Sequence, residues 1–215
     1  MPRISLQTDY WNRVASEKCF SHPLRLEWLQ SHLGPQPRIL DHGCGYGRLL
    51  EQLLAAGYSN VVGTDFSGKM LVQCRAKLPE LPLVRNDGQS LPFHDRSFDA
   101  VLLFTVLTCM PNNEDQWALL AEVRRILRLG GILYISDLLI NSDLRNVERY
   151  ECHGDRFGVY GVFELPEGAI VRHHREAWIE QITASFARLA FQKFTATTMN
   201  GNRSAAFQYL GRKPK

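Results

Sequence analysis

ILDHGCGYGRLL, residues 39–50, is the stretch whose reading decides the fold of this chain. A short apolar run ends at Asp41, and three alternating glycines (Gly43, Gly45, Gly47) lead into an amphipathic helical pattern from Arg48 to Ala56. Glycine allows the tight turn and a close approach of backbone to ligand, because no Cβ stands in the way. The first amides of the following helix, and the positive end of its dipole, face the same space. A strand–loop–helix unit with a ligand on the loop is therefore expected.

Outward from this unit the chain keeps alternating. The pattern predicts strand 38–42, helix 48–56, strand 60–64, helix 67–78, strand 81–86, strand 98–104, helix 113–129 and strand 131–137. That rhythm implies an α/β, Rossmann-like doubly wound sheet, mostly parallel, with right-handed crossovers. In the helix 113–129, Trp117, Leu120, Val123 and Leu127 recur at three- or four-residue spacing, and Gly130–Gly131 is read as its stop. FDAVLLF is almost wholly apolar, as a buried central strand should be. Ala187–Thr198 and Ser204–Gly211 flank Met199-Asn200-Gly201-Asn202, which predicts a C-terminal antiparallel hairpin at the sheet edge.

Two segments lie outside the alternation. Residues 1–34 read as N-terminal helices forming a cap, stopped by Gly34 and Pro35. Residues 138–174, after the fifth strand, read as an inserted flap with two strand-like patches, GVYGVFEL and AIVRHH. A long connection at the carboxyl end of a strand is placed where α/β sheets bind ligands. The expected organisation is one domain: cap 1–34, core 38–137, flap 138–174, and a final helix and hairpin over 175–215.

Composition narrows the function classes. With 215 residues, 45% hydrophobic and 22% charged, the chain has the make-up of a soluble globular domain. A formal charge of +3 without a run of like charge gives little reason to expect nucleic acid or a membrane surface as partner. The five cysteines are odd in number and lack both a CxxC pair and a zinc-like frame, so no disulfide scaffold and no metal are expected. The start MPRISLQTDYWNRV has no signal core and no apolar run approaches the roughly 18 residues that span a bilayer, so a cytoplasmic location is expected. Monomer and homodimer are both compatible with the sequence.

The glycine loop departs from two nucleotide-binding patterns. Counting from Gly43, the sixth position is Arg48 where the dinucleotide fingerprint has glycine, and no GxxxxGK precedes Ser or Thr. Instead, Asp41 opens a D-x-G-x-G-x-G loop, Asp65 ends the next strand in VVGTDFS, and Asp87 follows the third in RNDGQSLPF. With that motif order the sequence resembles the class I S-adenosylmethionine-dependent methyltransferases, in particular the small stand-alone, type 11-like group, over about residues 38–137.

The resemblance implies S-adenosylmethionine as cofactor and S-adenosylhomocysteine as product. On it, Asp41, Gly43, Cys44 and Gly45 would lie beside the methionine moiety, and Asp65 would accept from the ribose hydroxyls. Phe66 and Met70 would cover the adenine, while Asp87, Gly88 and Gln89 would read its edge. Phe104, Thr105 and Val106 would form the floor near the methyl group, and Tyr10 or Trp11 would close over the site. Where relatives often carry an acid or a histidine after the fourth strand, this chain has Thr108 and Cys109.

Methyl transfer from a sulfonium demands alignment and exclusion of water, and a base only where the attacking atom starts protonated. His173 and His174 in AIVRHHREAW are the base candidates, with Tyr160 in the flap as a further catalytic candidate; His22, His32 and His94 form no constellation. The expected reaction is in-line methyl transfer to a small-molecule acceptor. An RNA or protein methyltransferase, a non-catalytic S-adenosylmethionine-binding protein and a nicotinamide oxidoreductase are the alternatives.

Overall fold

The computed structural model describes residues 4–15, 21–86 and 90–215. Asp87, Gly88 and Gln89, expected at the adenine edge, lie outside the described residues.

Seven strands form one sheet: β1 (Ile39–His42), β2 (Val61–Asp65), β3 (Leu83–Arg85), β4 (Phe98–Phe104), β5 (Leu127–Leu138), β8 (Ala187–Thr197) and β9 (Arg203–Arg212). Their order is β3-β2-β1-β4-β5-β9-β8. The first five are parallel, while β9 runs antiparallel to both β5 and β8, so the C-terminal hairpin closes the sheet edge as the Asn-Gly signal implies. The helices are α1 (Ile4–Val14), α2 (Leu26–Gln30), α3 (Arg48–Ala55), α4 (Gly68–Lys77), α5 (Asn113–Ile126), α6 (Leu144–Phe157) and α7 (Glu176–Ile182). Apolar side chains of β1, β4 and β5 are buried on both faces of the sheet, which splits the core into two layers. Among the described residues no helix is long and apolar enough to cross a membrane.

The boundary between α5 and β5 differs from expectation. The helix ends at Ile126, Leu127 is already extended (φ −70°, ψ 138°), and β5 runs on through Gly130–Gly131. The register against β4 jumps from Phe98↔Leu127 to Ala100↔Ile132, so Arg128–Gly131 are accommodated as an irregularity within the strand and do not end the helix. Arg128 Nη1 binds both carboxylate oxygens of Asp99 at 2.7 and 2.8 Å across this step.

The segment 138–174 is more ordered than a flap. It holds α6, whose Asp143 cap accepts from Asn146 N and whose C-cap Gly158 sits at φ 66°. Strands β6 (Val162–Glu164) and β7 (Ile170–Arg172) then pair antiparallel as a small separate sheet. α1 bridges this segment to the main sheet's helices. Gln7 Nε2 donates to Ile170 O at 2.5 Å and Arg13 Nη2 to Glu167 O at 2.9 Å. On its other side Asn12 Oδ1 accepts from Ser67 Oγ at 2.8 Å, next to the start of α4. The N-terminal helix thus roofs the space above the glycine loop.

Candidate active site

The loop after β1 is stapled to β2 by its own backbone. Gly43 N and Cys44 N both donate to Thr64 O, at 2.7 and 2.9 Å. Gly43, Gly45 and Gly47 all have positive φ (75°, 54° and 91°), a region L side chains rarely adopt. At Gly43 a Cβ would also stand 2.6 Å from Val106 Cγ2. Gly43→Ala should therefore lower the melting temperature by about 4 °C or more, combining left-handed strain with a clash against a stiff β-branched side chain. Scanning calorimetry reads the loss; a Val106→Ala background should restore only the part due to the clash.

Above the loop lies a cavity of about 530 Å³. Its walls include Asp41, Gly43, Cys44, Gly45, Asp65, Phe66, Met70, Phe104 and Thr105, nine of the residues named from sequence. Trp11 lines it, but Tyr10 does not: Tyr10 packs edge-on against Trp11 and its hydroxyl reaches Glu167 Oε1 at 3.4 Å. That corrects the expectation for Tyr10, because the helical turn that aims Trp11 at the cavity aims its neighbour at the flap.

The two acids are held differently. Asp65 is fixed by backbone amides, with Oδ2 accepting from Gly45 N at 2.9 Å and Oδ1 from Ser67 N at 2.8 Å. Burial raises its pKa, and these amide bonds oppose the rise. Ser67 Oγ caps α4 by accepting from Met70 N, which leaves the Asp65 carboxylate for the cavity and not for the cap. Asp41 is the opposite case: it is 1% exposed, and among the described residues neither carboxylate oxygen has a hydrogen-bond partner. Burial pushes its pKa up to about 7, with the Arg48 guanidinium pulling down and Asp65 pushing up. A buried carboxylate lacking partners, on a cavity wall, fits a ligand that brings a cation or donors of its own.

Sequence reasoning missed several lining residues. His42 Nδ1 is 2.8 Å from Thr64 Oγ1, and burial lowers its pKa to about 4, so it is neutral near pH 7. Arg48 and the first turn of α5, with Glu114 and Asp115, complete the rim. Thr105 is a β-branched residue at φ 56°, held by Thr105 N→Ser136 O at 2.8 Å. Strain of that kind costs on the order of 1–3 kcal/mol and persists where surrounding structure dictates it. Here it turns the chain off β4 between two cavities.

The second cavity, about 220 Å³, shares the walls Trp11, Thr105 and Cys109 with the first. It is closed by α6, β6, β7 and the tip of the C-terminal hairpin, through Arg145, Asn146, Arg149, Phe163, His173, Thr198 and Ser204 among others. His22, which shows no constellation in the sequence, also lines it, with Nδ1 at 2.9 Å from Ser136 Oγ.

The catalytic candidates separate. His173 is on the wall of the second cavity, whereas His174 is 1% exposed and lines neither cavity. His174 Nε2 lies 3.0 Å from Gln116 Nε2 and its Nδ1 3.1 Å from Leu138 O, so it is a structural link between α5 and β5. Alternation along the chain explains the split, since neighbours on an extended segment point to opposite faces. Tyr160 is 39% exposed, lies under the Arg175 guanidinium and reaches neither cavity. His173 and His174 are both pushed down to about 3 by burial, which is too weak for a base at neutral pH.

The sheet order, the glycine loop and the strand-end acids define a class I S-adenosylmethionine-dependent methyltransferase core. Residues 40–135 match the family described as a methyltransferase domain. The chain is 37% identical over 115 residues to phthiotriol/phenolphthiotriol dimycocerosates methyltransferase 1 of Mycobacterium ulcerans, covering 52% of this chain and 41% of that protein. It is 29% identical to the human eEF1A lysine and N-terminal methyltransferase, over 57% of this chain and 20% of that one. The chain thus spans less than half the length of these curated relatives. A solved SAM-dependent methyltransferase from Methanosarcina mazei superposes with a TM-score of 0.82 at 24% identity, covering 90% of this chain and 99% of that one, which extends the shared fold across the flap and hairpin.

Proposed function

We propose that this protein transfers a methyl group from S-adenosylmethionine to a small-molecule acceptor held in the second cavity. The observation that carries the reading is the pair of cavities meeting at Trp11, Thr105 and Cys109, one walled by the loop and strand-end acids and the other by the flap. When bound, S-adenosylmethionine supplies a methyl group on a positively charged sulfur, ready for displacement. Asp41, Asp65 and the 43–45 backbone would hold it in the first cavity, and Phe66 and Met70 would cover it. Trp11 and the α1 roof exclude water from the junction, where desolvation favours displacement. The second cavity is smaller than the ~300–1,000 Å³ that encloses a drug-sized ligand, which supports a compact acceptor.

The test is release of S-adenosylhomocysteine from S-adenosylmethionine in the presence of a panel of small acceptors, read by mass spectrometry, with a protein extract and total tRNA as comparison arms. Methylation of a compact molecule is the expected result. Methylation of protein or RNA alone would overturn the small-molecule acceptor. Tight cofactor binding with no methylated product in any arm would mark a non-catalytic binder.

A further inference from the structure

We propose that the second cavity takes a small acceptor bearing a carboxylate, gripped by Arg145 and Arg149 and by the Nε2–H of His173. Naming this ligand an acceptor rests on the methyl-transfer reading; the anion site itself rests on the geometry that follows.

The two cavities are oppositely charged. The first is lined by Asp41, Asp65, Glu114 and Asp115 against the single guanidinium of Arg48. The second is lined by Arg145 and Arg149 against the single carboxylate of Glu167. Glu167 is already engaged, since its Oε1 accepts from Asn200 Nδ2 at 2.8 Å and from the Tyr10 hydroxyl at 3.4 Å. A cationic cofactor and an anionic acceptor would each meet the complementary lining.

Arg149 has no ion pair among the described residues, and Arg145 has only a long one. Arg149 stacks on the Phe163 ring, 4.7 Å from its centroid, and its hydrogen bond goes to Asn146 Oδ1 at 3.4 Å. It has no carboxylate within ion-pair distance among the described residues. Burial and then the neighbouring Arg145 charge lower its pKa, with Tyr150 and Asp143 opposing the shift. Arg145 reaches Asp143 Oδ1 only at 3.8 Å, and Asp143 spends its oxygens on Asn146, accepting from its backbone N at 3.3 Å and its Nδ2 at 2.5 Å. Two like charges left together on a partly buried wall repel each other, and an anion relieves that repulsion.

His173 supplies the third donor. It is 5% exposed, and its Nδ1 lies 2.6 Å from the Tyr150 hydroxyl and 3.4 Å from Asn141 Nδ2. The Asn141 amide is oriented by the backbone, because its Oδ1 accepts from Ala205 N at 2.8 Å and its Nδ2 donates to Leu139 O at 2.8 Å. The Tyr150 oxygen accepts from Asn141 N at 3.3 Å, which leaves its hydrogen for His173. Nδ1 is therefore an acceptor and the ring proton sits on Nε2. The hydrogen bonds of this ring are made at Nδ1, and the ring lines the second cavity, to which Nε2 is open. A neutral ring N–H on a cavity wall that also carries two guanidiniums suits an oxyanion and not a proton to remove.

The experiment titrates matched carboxylate and amide pairs, benzoate against benzamide and 3-phenylpropionate against 3-phenylpropanamide, into the protein with and without S-adenosylhomocysteine at pH 7. Binding is followed by ligand-observed NMR. The expected result is a preference of about tenfold or more for the carboxylate of each pair, from charge-assisted hydrogen bonds. It should collapse to near parity in R149Q and in R145Q, with S-adenosylhomocysteine affinity unchanged. Equal binding of acid and amide, no carboxylate binding, or a preference that survives in the R145Q/R149Q double variant overturns the proposal. A carboxylate preference in a protein that does not bind S-adenosylhomocysteine would keep the anion site and sink the methyl-transfer reading instead.

Discussion

Asp41→Asn is expected to make the ligand-free protein more stable at pH 8 and to weaken its S-adenosylhomocysteine binding at the same time. Burial raises the Asp41 carboxyl from 3.8 to about 7. An unfolded chain loses this proton near its ordinary value, so between about pH 4 and pH 7 the folded state keeps a proton that the unfolded state has lost. Stability therefore falls as pH rises across that window and stays lower above it, by on the order of a few kcal/mol. Asparagine removes the charge and with it this penalty, although its amide stays short of partners.

The melting temperature of Asp41→Asn should thus exceed that of the unaltered protein at pH 8 by several degrees, at about 2–4 °C per kcal/mol, and the gap should close by pH 4. Calorimetry across pH measures it. The cofactor product, whose amino-acid end carries an ammonium, should bind the variant about 10–100-fold more weakly at pH 8, the worth of one charge-assisted hydrogen bond. Its affinity for the unaltered protein should rise with pH through 7, and that rise should vanish in the variant. A variant less stable at every pH would mean that Asp41 has a structural partner, and unchanged affinity would remove it from the site.

How far the sequence reaches is visible in what kind of information each feature needs. β1, β4, the glycine loop and the hairpin are legible because their signals are local: an apolar run, a spacing of glycines, an Asn-Gly turn. α6 has local signals too, Asp143 as cap, Gly158 as stop, and Val147, Tyr150 and Phe157 at helical spacing, but so few of its residues (LRNVERYECHGDRF) are apolar that the strand-like patches after it dominate the reading of this segment. LRLGG reads as a helix end because glycine usually ends helices, whereas the pairing of Leu127 with Phe98 of β4 and the backbone bonds of Gly130 and Gly131 with Lys213 draw it into the sheet. The first cavity gathers residues that a strand-end rule can find. The second is assembled from α1, the segment before α2, the turn after β4, the end of β5, α6, the β6–β7 hairpin and the tip of the C-terminal hairpin, segments whose meeting no spacing records. Which of two adjacent histidines faces it depends on a register set only by packing.

The second large effect is expected at Asp65. Asp65→Ala should abolish measurable S-adenosylhomocysteine binding in calorimetry, a loss of about a hundredfold or more, while the chain stays folded at 25 °C. Two separate causes act in the same direction. The carboxylate would no longer accept from the ribose hydroxyls, the role that the methyltransferase resemblance assigns it. It would also release Gly45 N and Ser67 N, now bound at 2.9 and 2.8 Å, leaving buried donors unpaired at about 1–3 kcal/mol each and the loop free to shift. Asp65→Asn separates the two. It keeps one oxygen for one amide but turns an NH₂ toward the other, so stability should fall in both variants and more in alanine. If Asp65 serves only the loop, affinity should track the melting temperature, with asparagine retaining most of it. If it also contacts the ligand, asparagine should lose much more affinity than its stability implies, because a neutral amide is a weaker acceptor for hydroxyls than a carboxylate. The second outcome is the expected one, and affinity that follows stability in both variants would reduce Asp65 to a support of the loop.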